Sequence, residues 1–476
     1  MSFVKIIFLS LLAIFSFGCS GSIPARPEAL KVGQPQFSPP AIAHWVENNG
    51  LEVYLLEDHE LPLLAGDFYF KFGSLTEGDS PKGQVEALMS QLRAGGIAGS
   101  TPQSLDAELD SVGVAIEGSA GGEFSSVSFS SHKSDLELVF SKLQGLLTNP
   151  AFDEKRLAIW KSQAVDTIGR RREDPDTIAN ATFAKALYGE KSIYSLLATK
   201  DSIGSISSSK LKALSRKRIL PGGATLAVTG DITQEQLKNA LQKYLGSWLG
   251  QGEKREVAAA PEFTPSPGLY FVDSDFQQSA VIIGHLGPKR MSSDQYALSV
   301  FNRYFARGAF GSVLFTEVRS KRGFAYSVDG GFNPGAKTGE FSIDMGTRAE
   351  ITGPAVQEVI NQINLVRTQT PPVDKIDDVK AAVKQGFIFN FAKPSSALTR
   401  EVMLNLLGYP KNFNESYLPS ISAVTPEEVR KTASSRLNPE NLIMVVVGKL
   451  DGKALAKSLN LPFYRVEFST YPKVFK

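Results

Sequence analysis

A chain of 476 residues, 42% hydrophobic and 21% charged, is long enough for two or three domains with substantial cores. Its 51 Lys and Arg against 49 Asp and Glu leave a net charge of +2, which excludes a nucleic-acid binder built on a concentrated basic surface. A single cysteine excludes a disulfide framework.

The first segment is not part of the fold. Lys5 is followed by the apolar run Ile6–Phe17, too short to span a membrane and suited to the core of a signal peptide. Gly18-Cys19 resembles a bacterial lipoprotein cleavage site, so residues 1–19 are expected to be a lipoprotein signal with Cys19 as the lipid attachment point. That places the chain in the bacterial envelope, on the periplasmic face, and Ser20 after the cysteine points to the outer membrane. Residues 20–40 hold Pro24, Pro27, Pro35, Pro39 and Pro40 and read as an extended tether.

Structure is expected from about Ala41. Glu47–Gly50 is a turn, Leu51–Leu55 alternates as a strand, and Leu64–Phe72 is a second strand. Val85, Leu88, Met89 and Leu92 follow helical spacing, with Gly95-Gly96 as the stop. Gln103–Val112 reads as a helix, Phe124–Phe129 as a strand, Leu136–Leu147 as a helix, and Phe152 to Arg172 as a longer helix. An internal repeat follows. Pro221–Gly230 and Pro439–Gly448 are both Pro-led apolar strands closed by Gly, shifted by 218 positions (221 to 439, 230 to 448). Each precedes a helix, at Thr233–Leu245 and Gly452–Ser458. Pro150–Asp153 is echoed by Pro372–Asp374. Two echoes at nearly one offset indicate duplication. The Pro- and charge-rich stretch 250–268 reads as a linker, giving a first domain at 41–249 and a second at 269–476. Strands recurring with helices in each half predict an α+β class.

Several segments together resemble the insulinase, pitrilysin and mitochondrial processing peptidase family. They are Asn49-Gly50-Leu51, Gly73-Ser74 with the helix after Gly83, Arg171–Pro175, Gln278–Gly284 and, most specific, Leu314–Val328. The resemblance spans residues 45 to 450. It implies two homologous domains, each a mixed sheet with helices on one face, forming a clam-like chamber. Active members carry two His at i, i+4 on one helix, a Glu beside the second His as general base, and a later Glu as third zinc ligand. Here Glu86 and Ser90 fall at the His positions, Met89 at the base, and Asp166 or Thr167 near the third ligand. A thioether accepts no proton in the range of catalysis. The four histidines, His44, His59, His132 and His285, are not within helical reach of one another and read as surface or loop residues. The expectation is therefore no catalytic residue and no metal in this chain.

What the resemblance keeps is a pair. Leu314 and Val318 face a core from a helix, Gly323 caps it, and Phe324–Val328 continues as a strand. The family likeness implies that Arg319 and Tyr326 bind substrate from the side of the chamber opposite zinc. Guanidinium and phenol are suitable donors to a peptide carbonyl or a developing oxyanion. Gly308–Ser312 resembles a shortened form of the family's glycine-rich loop. The expected role is a lipid-anchored, non-catalytic subunit that orients peptide for a zinc-bearing homologous partner, with zinc held by that partner. The alternative is a stand-alone peptide-binding or envelope scaffold protein without proteolysis.

Overall fold

A computed structural model describes residues 40–475, apart from 79, 253–258 and 260–261. The signal segment, Cys19, the tether up to residue 39 and the middle of the linker lie outside the described residues. In the first half the strands are β1 (Ala43–Val46), β2 (Glu52–Glu57), β3 (Leu63–Phe70), β4 (Ala115–Ala120), β5 (Ser125–His132) and β6 (Thr225–Gly230). The helices there are α1 (Gln84–Ala94), α2 (Pro102–Val112), α3 (Leu136–Thr148), α4 (Glu154–Arg170), α5 (Pro175–Tyr188), α6 (Lys200–Gly204), α7 (Ser208–Arg218) and α8 (Gln234–Ala240). In the second half come β7 (Gly268–Asp273), β8 (Gln278–Gly287), β9 (Ala325–Asn333), β10 (Gly339–Arg348), β11 (Ile443–Gly448), β12 (Phe463–Phe468) and β13 (Pro472–Phe475). Its helices are α9 (Gln295–Asn302), α10 (Thr352–Thr368), α11 (Val373–Ile388), α12 (Pro394–Leu407), α13 (Phe413–Ala423), α14 (Pro426–Arg436) and α15 (Gly452–Ser458).

The strands make two sheets, ordered β1-β2-β6-β3-β5-β4 and β13-β12-β7-β11-β8-β10-β9. β6 runs parallel to β2 and antiparallel to β3, as β11 runs parallel to β7 and antiparallel to β8. The blocks β2-β6-β3-β5-β4 and β7-β11-β8-β10-β9 therefore share one topology. The two Pro-led repeats become the equivalent central strands β6 and β11, whose burial on both faces explains their unbroken apolar runs. The echo at Pro150 and Pro372 marks the starts of α4 and α11. Asp153 caps α4 by accepting from the Arg156 amide at 2.9 Å.

Each sheet lays helices of its own half on one face. In the first half, Phe68, Leu88, Met89, Phe129, Phe140 and Leu226 belong to one continuous core. In the second half, Phe301, Phe305, Phe332, Phe341 and Val446 do the same. The opposite faces are covered by exchange. Helix α5, from the first half, packs Ile178, Phe183 and Leu187 on Val272, Ile282 and Val445 of the second sheet. Helix α12, from the second half, packs Leu398, Val402 and Leu406 on Tyr54, Tyr69 and Ala227 of the first. Gly284 makes room for this, because a Cβ there would strike both the Phe183 ring and the carbonyl of Phe341. Across the seam Arg290 donates to both oxygens of Glu123 at 2.7 and 2.9 Å, and the Tyr188 hydroxyl donates to Glu340 at 3.0 Å. The result is the α+β, two-lobed, clam-like architecture expected from the sequence, with its lobes interlocked by the lent helices.

One histidine departs from expectation. His285 is 4% exposed in β8, stacked on Phe341 at 5.1 Å, rather than on the surface. Its Nε2 accepts from the Asn438 amide at 3.1 Å, so Nδ1 carries the proton and donates to the carbonyl of Leu286 at 2.7 Å. Burial lowers its pKa. Among the described residues no helix is long and apolar enough to cross a membrane.

Because α5, from the first half, covers one face of the second sheet, Phe183→Ala should cost about 3–5 kcal/mol. Denaturant unfolding followed by tryptophan fluorescence in the first half and by far-UV dichroism should show both sheets still melting in one transition at a lower midpoint.

Candidate functional site

The segment corresponding to the family's metal helix has become structural. Gly83 caps α1 at φ +94°, against Ile203. Met89 is fully buried in the core, and its carbonyl lies so close to β4 that Gly118 opposite leaves no room for a Cβ. Glu86 is exposed and Ser90 half-buried on the same helix, while Asp166 is exposed on α4. Two exposed carboxylates on different helices, a hydroxyl and a core thioether do not make a zinc donor set, which needs imidazole, thiolate or convergent carboxylates. Among the described residues no group of three His, Cys, Asp or Glu could hold a metal ion. The buried acid here is Glu77, which accepts from the Val85 amide at 3.0 Å and pairs with Lys82 at 3.2 Å. Burial raises its pKa.

The Arg319/Tyr326 segment is built as the sequence implied, with two additions. Leu314 and Val318 are wholly buried, and residues Phe315–Ser320 form a π-helical turn. Gly323, at φ +63°, closes it: its amide donates to Arg319 and the Phe324 amide to Val318, at 2.9 and 3.0 Å. The chain passes directly into β9. Both Arg319 and Tyr326 are exposed on this unit, the latter by 55%.

The surrounding charges set Arg319 apart. Glu317 is taken by Lys321 at 2.7 Å and Arg322 at 3.0 Å, and Arg322 also reaches Glu358 at 3.2 Å. Arg319 has no carboxylate among the described residues. It lies 4.9 Å over the Phe315 ring, which is edge-on to the exposed Phe310 at 5.1 Å. A guanidinium braced on an aromatic face keeps its donors free. Phe310 belongs to the short turn at Ala309–Gly311, where the glycine-rich loop was expected.

Tyr326 owes its position to a bulge. On β10, Gly346 pairs with Ser327 and Thr347 with Ala325, so Tyr326 is the extra residue of the outermost strand. Bulges at sheet edges re-aim side chains. The ring lies over Gly346, where any Cβ would collide with it. The phenol oxygen has no hydrogen-bond partner among the described residues. Beyond it the same face is acidic: Asp329 sits directly opposite Asp344, and Asn333 opposite Glu340. Although Asp344 meets solvent, burial and the carboxylates of Glu340, Asp176 and Asp329 push its carboxyl up to about 6.

Sequence reading located Arg319 and Tyr326 but not the bulge, the Gly346 seat or the Asp329–Asp344 pair. Those depend on the register of β9 against β10. The one local signal was Gly346 itself, an unpacked position in a strand otherwise rich in large residues.

Comparison with known proteins follows this geometry. Residues 205–383 match the family described as Peptidase M16 inactive domain. An uncharacterized zinc protease of Mycobacterium tuberculosis is 25% identical over 310 residues, 64% of this chain and 70% of that protein. The uncharacterized zinc protease YmxG of Bacillus subtilis is 24% identical over 293 residues, covering 61% and 70%. Among solved structures, a peptidase M16 inactive domain from Pseudomonas fluorescens superposes with a TM-score of 0.77 at 23% identity, over 86% of this chain and 98% of that one. The periplasmic protease PqqL of Escherichia coli gives 0.71 at 15% identity, over 94% of this chain and 51% of that one. At these identities the structural matches establish the fold.

The raised pKa of Asp344 has a signed consequence. A carboxyl held above its unfolded value favours the protonated form in the fold, so its charge opposes folding increasingly as pH rises from about 4 to about 6. Asp344→Asn should therefore stabilise the chain at pH 8 and leave it unchanged at pH 4, as read by thermal melting at the two pH values.

Proposed function

The chain belongs to the M16 peptidase family, with its inactive-type domain at residues 205–383, and on that footing we propose that it is the non-catalytic, peptide-orienting subunit of a two-chain zinc peptidase. The observation that carries this reading is a contrast within one molecule. Met89 is wholly buried in core at the base position, while Arg319 and Tyr326 stand exposed and braced, with no competing carboxylate or side-chain hydrogen bond among the described residues.

In this role Tyr326 and Arg319 donate to the backbone carbonyl of an extended peptide. They donate more strongly as that oxygen gains negative charge, which is where preorganised donors lower a barrier. Tyr326 stands on the free edge of β9, and an edge strand offers unpaired amides and carbonyls that position extended chains. The ion and the attacking water belong to a homologous partner. Anchoring through Cys19 in the periplasmic face of the envelope fits this role. It is supported by the Gly18-Cys19 pattern and by the periplasmic location named for the protease PqqL.

The test is a reconstitution. Purified alone, the chain should carry no stoichiometric zinc and cut no peptide; mixed with its zinc-bearing homologue, it should support turnover. In the mixture Tyr326→Phe and Arg319→Ala should each lower kcat by roughly 10²–10³ with unchanged melting temperature, since both side chains are exposed. Proteolysis by the lone chain with tightly bound metal would overturn the reading. A stable pair whose activity ignores both substitutions would instead favour a scaffold.

A further inference from the structure

A second concave site lies away from Arg319 and Tyr326. It is a cleft of about 910 Å³ in the second half, between α9, α11, α12 and α13. Three arginines line it, Arg303, Arg307 and Arg400, and no Asp, Glu or Lys does. Three guanidinium groups on one concave wall make a field of one sign that favours an anion entering it.

Two of the arginines are held by neutral groups. Arg400 donates through Nε to the Asn414 amide oxygen at 2.8 Å and lies over Phe387 at 4.9 Å and Phe391 at 5.8 Å. The nearest acid in that network is Glu401, which Asn414 bonds at 3.0 Å and which lines a different cleft, of about 390 Å³, between the lobes. Arg307 donates to the Gly330 carbonyl and to Asn333. Arg303 is half-buried and has no hydrogen bond or ion pair among the described residues. It starts a π-helical turn, Arg303–Arg307, which swings this side chain out of register with α9. Such single turns are frequent at functional sites.

The rest of the wall is apolar and aromatic, with Met403, Leu404, Phe413 and Tyr417, and Ser396 and Thr399 supply hydroxyls. A small inorganic anion would leave that surface unused. An amphipathic anion fills both parts: a carboxylate against the guanidinium forks, where bidentate geometry is available, and an apolar body against the rings.

We infer that this cleft binds the C-terminal carboxylate of a peptide that ends in a large apolar residue. The site is separate from the Arg319/Tyr326 unit, and the inference does not rest on the two-chain reading, because binding is measured on this chain alone.

The probes are an uncharged pentapeptide ending in Leu-Phe with a free carboxylate, the same peptide as its amide, and inorganic phosphate, each titrated calorimetrically into the full chain. The free acid should bind and the amide should bind at least roughly tenfold more weakly, the loss expected for one charge-assisted bond. Arg303→Gln should weaken the acid by a similar factor with unchanged melting temperature, since Arg303 holds nothing in place. Arg400→Lys keeps the charge while removing the planar fork, and should also weaken the acid if the fork does the recognition. Equal binding of acid and amide, no binding of the acid at millimolar concentration, or indifference to Arg303→Gln would overturn the inference. So would displacement of the peptide by phosphate at equal concentration, because the apolar wall would then play no part.

Discussion

The exchange of α5 and α12 between halves is the constraint on which the rest of the structure depends. A sheet with helices on one face leaves its other face to water or to a partner. Here each half lends one helix to cover the other's sheet: Phe183 sits over Gly284, and Val402 and Leu398 sit on the Tyr54 and Tyr69 side of β2 and β3. Neither half can complete its own burial. The lobes are thereby fixed to each other by packed apolar surface, with the Arg290–Glu123 fork adding a directional tie at the seam. A rigid frame is what a positioning role requires, because donors that must be reorganised at the moment of reaction lose most of their effect.

The exchange also explains what was legible in the sequence and what was not. Helices with one buried stripe were readable, and α1 and α3 lie where their spacing placed them. Helix α5 was not, because Ile178, Ala179, Ala181, Phe183, Ala186 and Leu187 put apolar residues all around it. A helix buried nearly all round has no polar face to reveal a period. Strand β4 was missed for the opposite reason: it is an edge strand, Ala115–Ala120, with Gly118 and few large residues, and its pairing with β5 supplies the order its composition lacks. His285 was misplaced because nothing local says that an amide from Asn438, far along the chain, will satisfy its ring. The fold of the Arg319 segment was legible because its determinants are local, two core residues, a capping glycine and a short strand, whereas its reading as a substrate site came from the family resemblance.

The substitution of the metal helix has a packing logic. In an open catalytic site the ligand side chains face a water-accessible position. Here α1 lies flush on β4, touching at Gly118, and Met89 fills the interior beneath it. Glu86 and Ser90 remain on the outer face, where they cost nothing and hold nothing. This part of the fold packs as core, and Glu77 with Lys82 forms a buried pair tied to the start of the helix.

The second half took the other course and kept exposed chemistry. Tyr326 is displaced onto the sheet edge by a bulge, seated on a glycine and left without a partner. Arg319 is denied the acids that its neighbours Lys321 and Arg322 consume, and Arg303 and Arg400 face a cleft containing no acid at all. Water satisfies exposed donors such as Arg319 and Tyr326, so leaving them without protein partners costs the fold little and keeps them available. One added carboxylate would occupy Arg319 or Arg303, and among the described residues neither has one. On the proposed reading, that openness is what lets both surfaces meet a bound chain.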